Sequence, residues 1–214
     1  MDFNKKDSYI YAITLMGLFT FLFLGVEYFF VNVLSHIVPE VQTVLAQNYV
    51  LGASAAGFVL YALFEHFCKD RLKEVCFIFI ALLSVLCMAF IYMGTTYTAI
   101  FFAGFVLFLL LGLTGSAVFY ISMCRMKTEQ YLARTVGISY ALGILLQFVN
   151  NNLIHSELAE MIVLSVFLLI LIALLLKWDY CIIKSAENTG HQQHKQNQKD
   201  TDNLSVDIVT LFIT

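Results

Sequence analysis

The chain has 214 residues, of which 60% are hydrophobic and 13% are charged, and its mean hydropathy is +0.83. Soluble domains carry about 25% charged residues, so this composition excludes an ordinary soluble domain and indicates a membrane protein. We therefore expect the lipid bilayer, and no nucleic acid, as a partner of this chain.

The first apolar segment runs over 9–33 and contains a single formal charge, Glu27. A helix needs about 20 mostly apolar residues to cross the hydrocarbon core, so this segment is long enough to span it. A carboxyl group at that depth is costly unless it faces a cavity or a partner. We interpret Glu27 as a substrate or proton-coupling group. The alternative is a buried, neutral carboxyl bonded to a neighbouring helix.

Five further apolar segments complete the predicted helices, at about 41–67, 75–93, 97–123, 135–150 and 158–176. The second contains LGASAAG at 51–57, where small residues four apart allow helices to approach closely. In the fifth, Gln147 and Asn150 are three apart and share a helix face, where they bind either a solute or another helix. The sequence predicts an all-α membrane protein with six transmembrane helices within residues 1–178.

The basic residues are confined to every second segment between the apolar spans. All 12 Lys and Arg residues lie in 1–8, 68–74, 124–134 and from 177 onward. The other turns hold Glu40, Glu157, Glu160 and two histidines. Because cytoplasmic loops carry the excess of Lys and Arg, we predict a multi-pass protein of the cell membrane with both termini cytoplasmic.

The remainder, 179–214, is predicted to be a cytoplasmic flexible linker or tail. Its stretch 185–203, SAENTGHQQHKQNQKDTDN, is too polar to bury a core, and the chain then ends on a short apolar segment. The five cysteines form no C-x-x-C pair, and no H-E-x-x-H or G-x-S-x-G motif occurs. We expect no metal site, no cofactor and no enzyme activity.

Six helices followed by a polar linker and a new apolar start resemble the N-terminal half of a major facilitator superfamily transporter. In the loop between the second and third helices, Asp70 and Arg71 match the Asp-Arg of that family's G-x-L-x-D-R-x-G-R-[RK] signature, whereas His66 and Lys73 replace its glycines. FLFLGV at 21–26 is similar to FLLLGL at 108–113. The resemblance implies two inverted three-helix repeats and a second six-helix half.

The resemblance also implies a function: membrane transport of a small solute by half of a secondary transporter, or by a chain truncated from one. The second half would be another copy or another chain. Helices 1 and 4 would line one wall of a cavity at the membrane midplane, to which Glu27, Asn32, Gln147 and Asn150 contribute as substrate or coupling candidates. Asp70 and Arg71 are candidates for a cytoplasmic gate, or else interfacial charges satisfied by water.

The alternative function is a non-transporting membrane anchor or sensor domain that leads to a cytoplasmic signalling partner.

Overall fold

The computed structural model describes residues 5–67, 70–125 and 129–177, with side chains over 9–65, 72–123 and 132–177. Over these residues the protein is all-helical, as predicted. Six helices follow one another: α1 Lys5–Ser35, α2 Glu40–Phe67, α3 Asp70–Met93, α4 Tyr97–Arg125, α5 Glu129–Leu153 and α6 Glu157–Lys177. All six are long and apolar enough to cross a membrane. Met1–Leu175 form one compact unit, and the predicted tail at 179–214 lies outside the described residues.

The helices are longer than the apolar segments that predict them. α1 begins at Lys5 rather than at residue 9, and α5 begins at Glu129 rather than at 135. The predicted boundaries followed the edge of each apolar run. A helical backbone satisfies its own hydrogen bonds, so it continues through the polar residues that flank the run.

α1 and α4 form the centre of the bundle and cross near Phe108. The rings of Phe23 and Phe30 on α1 lie edge-on to Phe108 on α4, with centroids 5.8 and 5.9 Å away. Such edge-to-face arrangements are favourable beyond the area that they bury. Phe30 and Phe108 are fully buried, so this contact fixes the middle of the fold.

The outer helices pack on these two central helices in a regular pattern. α2 and α3 pack against α4, and α5 packs against α1. α6 also lies along α1, where the Tyr11 hydroxyl donates to the Leu174 carbonyl at 2.5 Å and Phe21 contacts Phe167.

Helices α2 and α4 touch backbone to backbone through the predicted small-residue patch. A Cβ atom on Gly57 would lie 3.1 Å from the Gly112 Cα and closer still to the Leu109 carbonyl oxygen. Gly52, in the same patch, faces open space instead. Only one of the two faces of the patch therefore serves helix packing.

The two ends of the bundle differ in charge. α1, α3 and α5 start at one end, which we call the basic end because it carries every Lys and Arg side chain that the structure describes: Lys73, Arg134 and Lys177. α2, α4 and α6 start at the other, which we call the acidic end because it carries Glu40 and Glu157. At the basic end Lys73 pairs with Glu65 at 2.8 Å, joining α2 to α3.

Candidate functional site

A cavity of about 400 Å³ lies between α1, α2 and α5, toward the acidic end. α1 contributes four lining residues, α2 one and α5 four: Leu24, Glu27, Tyr28, Val31, Gln47, Ile144, Gln147, Phe148 and Asn151. Most of the wall is apolar, and the polar groups come from all three helices. The cavity opens at the bundle surface beside Tyr28 and Phe148, whose side chains are exposed.

Glu27 is bonded across the α1–α2 interface. The two helices run antiparallel, which brings Glu27 level with Gln47, and the Gln47 Nε2 donates to the Glu27 Oε1 at 2.7 Å. Both side chains are half-buried. None of the lining residues that the structure describes is basic. Glu27 therefore makes this cavity electronegative when it is ionised.

A second side-chain hydrogen bond, between two amides, stabilises the α5 wall. The Gln147 Nε2 donates to the Asn151 Oδ1 at 2.8 Å, one helical turn away. The Gln147 carbonyl oxygen points toward α1, where it lies 2.9 Å from the position that a Cβ on Gly25 would occupy. Glycine at position 25 thus makes room for a buried amide, and Gln147 connects the cavity to the packed side of α5.

The structure brings together two of the four predicted solute-site residues, Glu27 and Gln147. Asn32 lies further toward the acidic end, where its Nδ2 donates to the Glu157 Oε1 at 3.4 Å. The same carboxylate oxygen is 3.1 Å from the His36 Nδ1. Asn150 is buried and is not among the lining residues.

The expected wall from helices 1 and 4 differs from the observed lining, in which α1 and α5 are joined by α2 and no described α4 residue takes part. Gln47 and Asn151 are cavity residues that the sequence analysis missed. Gln47 carried a detectable signal, since it is a polar residue within an apolar span, as Glu27 is. Asn151 carried none, because it falls at the predicted boundary between a helix and a turn.

Glu160 is counted with the outer turns in the sequence analysis, although the predicted sixth helix already begins at 158; in the structure it lies inside α6 and is only 5% exposed. Glu160 precedes the buried residues Leu164 and Leu168 at four-residue spacing, so it lies on the face of α6 that packs against the bundle.

The two candidate gate residues mark the start of α3, which begins at Asp70. The side chains of Asp70 and Arg71 lie outside the described part of the chain. The nearby described contact is the Lys73–Glu65 ion pair, whose side chains are 15% and 29% exposed.

Within the described residues, no group of three or more His, Cys, Asp or Glu side chains is placed to hold a metal ion. The polar chemistry of the site is therefore that of one carboxyl, three amides and a phenol arranged around an apolar cavity. Compared with known proteins, the chain matches no family model, no curated protein and no solved structure.

Proposed function

We propose that this chain is a six-helix half of a secondary transporter and that the cavity beside Glu27 binds the transported solute. The observation that carries the proposal is the convergence of Glu27, Gln47, Gln147 and Asn151 on one cavity in an apolar bundle. Ionisable groups inside membrane-spanning helices mark substrate or ion pathways by default. The cavity volume, about 400 Å³, falls in the range of small-molecule sites.

The chemistry of the lining favours a neutral polar or cationic solute. The Glu27 carboxylate attracts a cation and repels an anion, and the amides both donate and accept hydrogen bonds. The rings of Tyr28 and Phe148 flank the opening, where an aromatic face stabilises an ammonium group. An amine-bearing small molecule satisfies all three kinds of contact.

The packing pattern supports two inverted three-helix repeats of the kind found in major facilitator superfamily transporters. α5 and α6 pack on α1 as α2 and α3 pack on α4. If α1, α2 and α3 are exchanged with α4, α5 and α6 in that order, the pattern of packing contacts stays the same. A pseudo-twofold axis in the membrane plane relates such repeats and runs beside the substrate site.

The charge distribution supports an orientation with the basic end in the cytoplasm of a cell, so that both termini are cytoplasmic. The cavity then lies in the outer half of the bilayer. Asp70 and Arg71 are at the cytoplasmic end, where they are our candidates for a gate.

The open side of the cavity, beside Tyr28 and Phe148, would face lipid in an isolated chain. Transport by this chain therefore requires a second six-helix half, supplied by another copy or another protein. In proteoliposomes, uptake per chain should fall steeply when chains are diluted below two per vesicle. Unchanged uptake per chain at that dilution would show that one chain suffices.

The cavity is tested by solute-induced stabilisation of the purified chain in detergent. A panel of amines, amino acids, sugars, nucleosides and organic anions is screened by thermal unfolding of the wild type, Glu27→Gln and the control Glu40→Gln. A solute at 100 times its Kd stabilises a protein by about 2.7 kcal/mol. We expect amines to stabilise the wild type and the control but not Glu27→Gln.

Proteoliposome uptake of the solutes that stabilise the chain then tests transport itself. If no solute class stabilises the wild type, or if stabilisation is independent of Glu27, the solute site is refuted. The anchor or sensor function would then be the better account of six helices with a cytoplasmic tail.

A further inference from the structure

Three buried polar atoms on α5 and α6, one of them on the cavity residue Gln147, have no hydrogen-bond partner among the described residues. They are the Gln147 Oε1, the Asn150 Nδ2 and the Glu160 Oε1. These residues are only 8%, 7% and 5% exposed. Leaving a buried polar atom without a partner costs about 1–3 kcal/mol, so three together indicate a site that something else completes.

The helix register places these three residues around the same part of α1. A Cβ on Gly25 would lie 2.9 Å from the Gln147 Oε1 on α5 and 2.5 Å from the Leu164 Cδ2 on α6. α5 runs parallel to α1 and α6 runs antiparallel to it, as the Asn32–Glu157 contact also indicates. One turn further toward the acidic end, the buried residue is Asn150 on α5 and Glu160 on α6.

We propose that Gln147, Asn150 and Glu160 form a proton-binding site next to the cavity, in which Glu160 takes up the proton. Its use in coupling proton movement to solute movement rests on the proposed function. Binding transfers a proton from a hydronium ion to a Glu160 oxygen and leaves water, and release reverses this step.

The donor and acceptor types of the three residues suit two protonation states. Neither amide atom bonds Glu160 in the structure, so each of the following bonds needs a side-chain adjustment. As a carboxylate, Glu160 would accept a hydrogen bond from the Asn150 Nδ2. As a carboxylic acid, it would donate its O–H to the Gln147 Oε1. The proton thus decides which amide Glu160 engages. Gln147 also donates a hydrogen bond to Asn151 in the cavity wall. A proton on Glu160 that moves Gln147 therefore changes the polar lining of the solute site.

The charges around Glu160 favour proton uptake. The ionisable groups are Glu27 and Tyr28 on α1, His36 directly after α1, and Glu157 one turn away on α6 itself. His36 is engaged by Glu157, and α5 presents only amides at this level. Every described Lys and Arg side chain is at the basic end. A buried carboxylate without a cationic partner is costly, and a proton removes that cost.

The site is tested by infrared difference spectroscopy of the full chain in lipid vesicles, taken as the pH is changed without any solute. Protonation of a buried carboxyl produces a C=O stretching band that is separate from the carboxylate bands. We expect this band in the wild type, its loss in Glu160→Gln, and its retention in Glu157→Gln and Glu27→Gln. Retention of the band in a folded Glu160→Gln variant would overturn the proposal.

Two further variants keep the test decisive if Glu160→Gln does not fold. Gln147→Leu and Asn150→Leu each remove one partner, so each should shift the frequency of the band. The proposal would also be overturned if both variants showed the C=O band at its wild-type frequency. It would be overturned as well if the folded wild type showed no C=O band that changes with pH. Because no solute is present, these outcomes do not bear on the proposal that the cavity binds a solute. Failure of the solute screen would remove only the coupling role.

Discussion

The hydrogen bond between Gln47 and Glu27 joins two of the three helices that line the cavity. The amide donor lies 2.7 Å from the carboxyl oxygen, and both side chains are half-buried. A hydrogen bond to a charged group stabilises a fold by about 1.5–3 kcal/mol. Because the bond joins α1 to α2 across the cavity wall, we expect it to contribute to the stability of the bundle as well.

We predict that Gln47→Ala lowers the free energy of unfolding by about 1–3 kcal/mol, because the Glu27 carboxyl loses its amide donor. The matched control is Asn48→Ala, since Asn48 is the next residue on α2 and is exposed. Denaturant unfolding in detergent micelles measures both variants. Equal effects of the two substitutions would show that the Gln47–Glu27 bond adds no stability.

The ion pair at the basic end is a second residue-scale contact with a measurable effect. The Lys73 Nζ is 2.8 Å from the Glu65 Oε1, and the Glu65 Oε2 is buried without a partner among the described residues. We predict that Lys73→Met destabilises the protein by about 1–3 kcal/mol, because it leaves a carboxylate without its cation. Glu65→Gln should cost less, since the glutamine carbonyl oxygen still accepts a hydrogen bond from the Lys73 ammonium, which then lacks only its counter-charge. Thermal unfolding of both variants measures which substitution destabilises the protein more. A larger loss of stability in Glu65→Gln than in Lys73→Met would contradict the prediction.

At the scale of helices, the close contact of α2 with α4 depends on glycine. Membrane helices associate through packing rather than through a hydrophobic driving force, so the closest backbone approach carries much of the association energy. Gly57 and Gly112 allow that approach, and a methyl group on Gly57 would overlap the α4 backbone. Backbone atoms cannot rotate away as a flexible side chain can, so the helices would have to separate.

We predict that Gly57→Ala lowers the free energy of unfolding by about 1–3 kcal/mol through overpacking. Gly52→Ala, in the same helix and patch, should be neutral or stabilising by up to about 1 kcal/mol, because nothing lies within 4 Å and alanine favours the helix. Unfolding of the two variants in one detergent compares them directly. A stable Gly57→Ala protein would mean that α2 and α4 tolerate a wider separation.

At the scale of the whole molecule, the asymmetry of charge between the two ends predicts the orientation in the membrane. Single cysteines in a cysteine-free background are labelled in intact cells with a membrane-impermeant reagent. Val38→Cys and Leu153→Cys, at the acidic end, should react from outside. Glu74→Cys and Ala133→Cys, at the basic end, should react only after the cells are opened. Outside labelling at position 74 would reverse the orientation and place the cavity in the inner half of the bilayer.

The sequence by itself determined the all-helical class and the six membrane-length helices of the residues that the structure describes. Apolar runs of spanning length are forced into helices because lipid offers no hydrogen bonds to the backbone. It also singled out Glu27 and Gln147, because a polar residue within such a run stands out against its neighbours. These inferences need only local information along the chain.

Only the tertiary structure decided which polar residues meet. Glu27 faces Gln47 because α1 and α2 run antiparallel at a particular register, and no local pattern specifies that register. Asn32 and Asn150 lie outside the cavity lining for the same reason, since helix rotation directs Asn32 to Glu157 and buries Asn150 beside α1. The burial of Glu160 likewise follows from the packing of α6 on α1. Contacts between helices depend on rotation and register, which arise from packing the whole bundle at once.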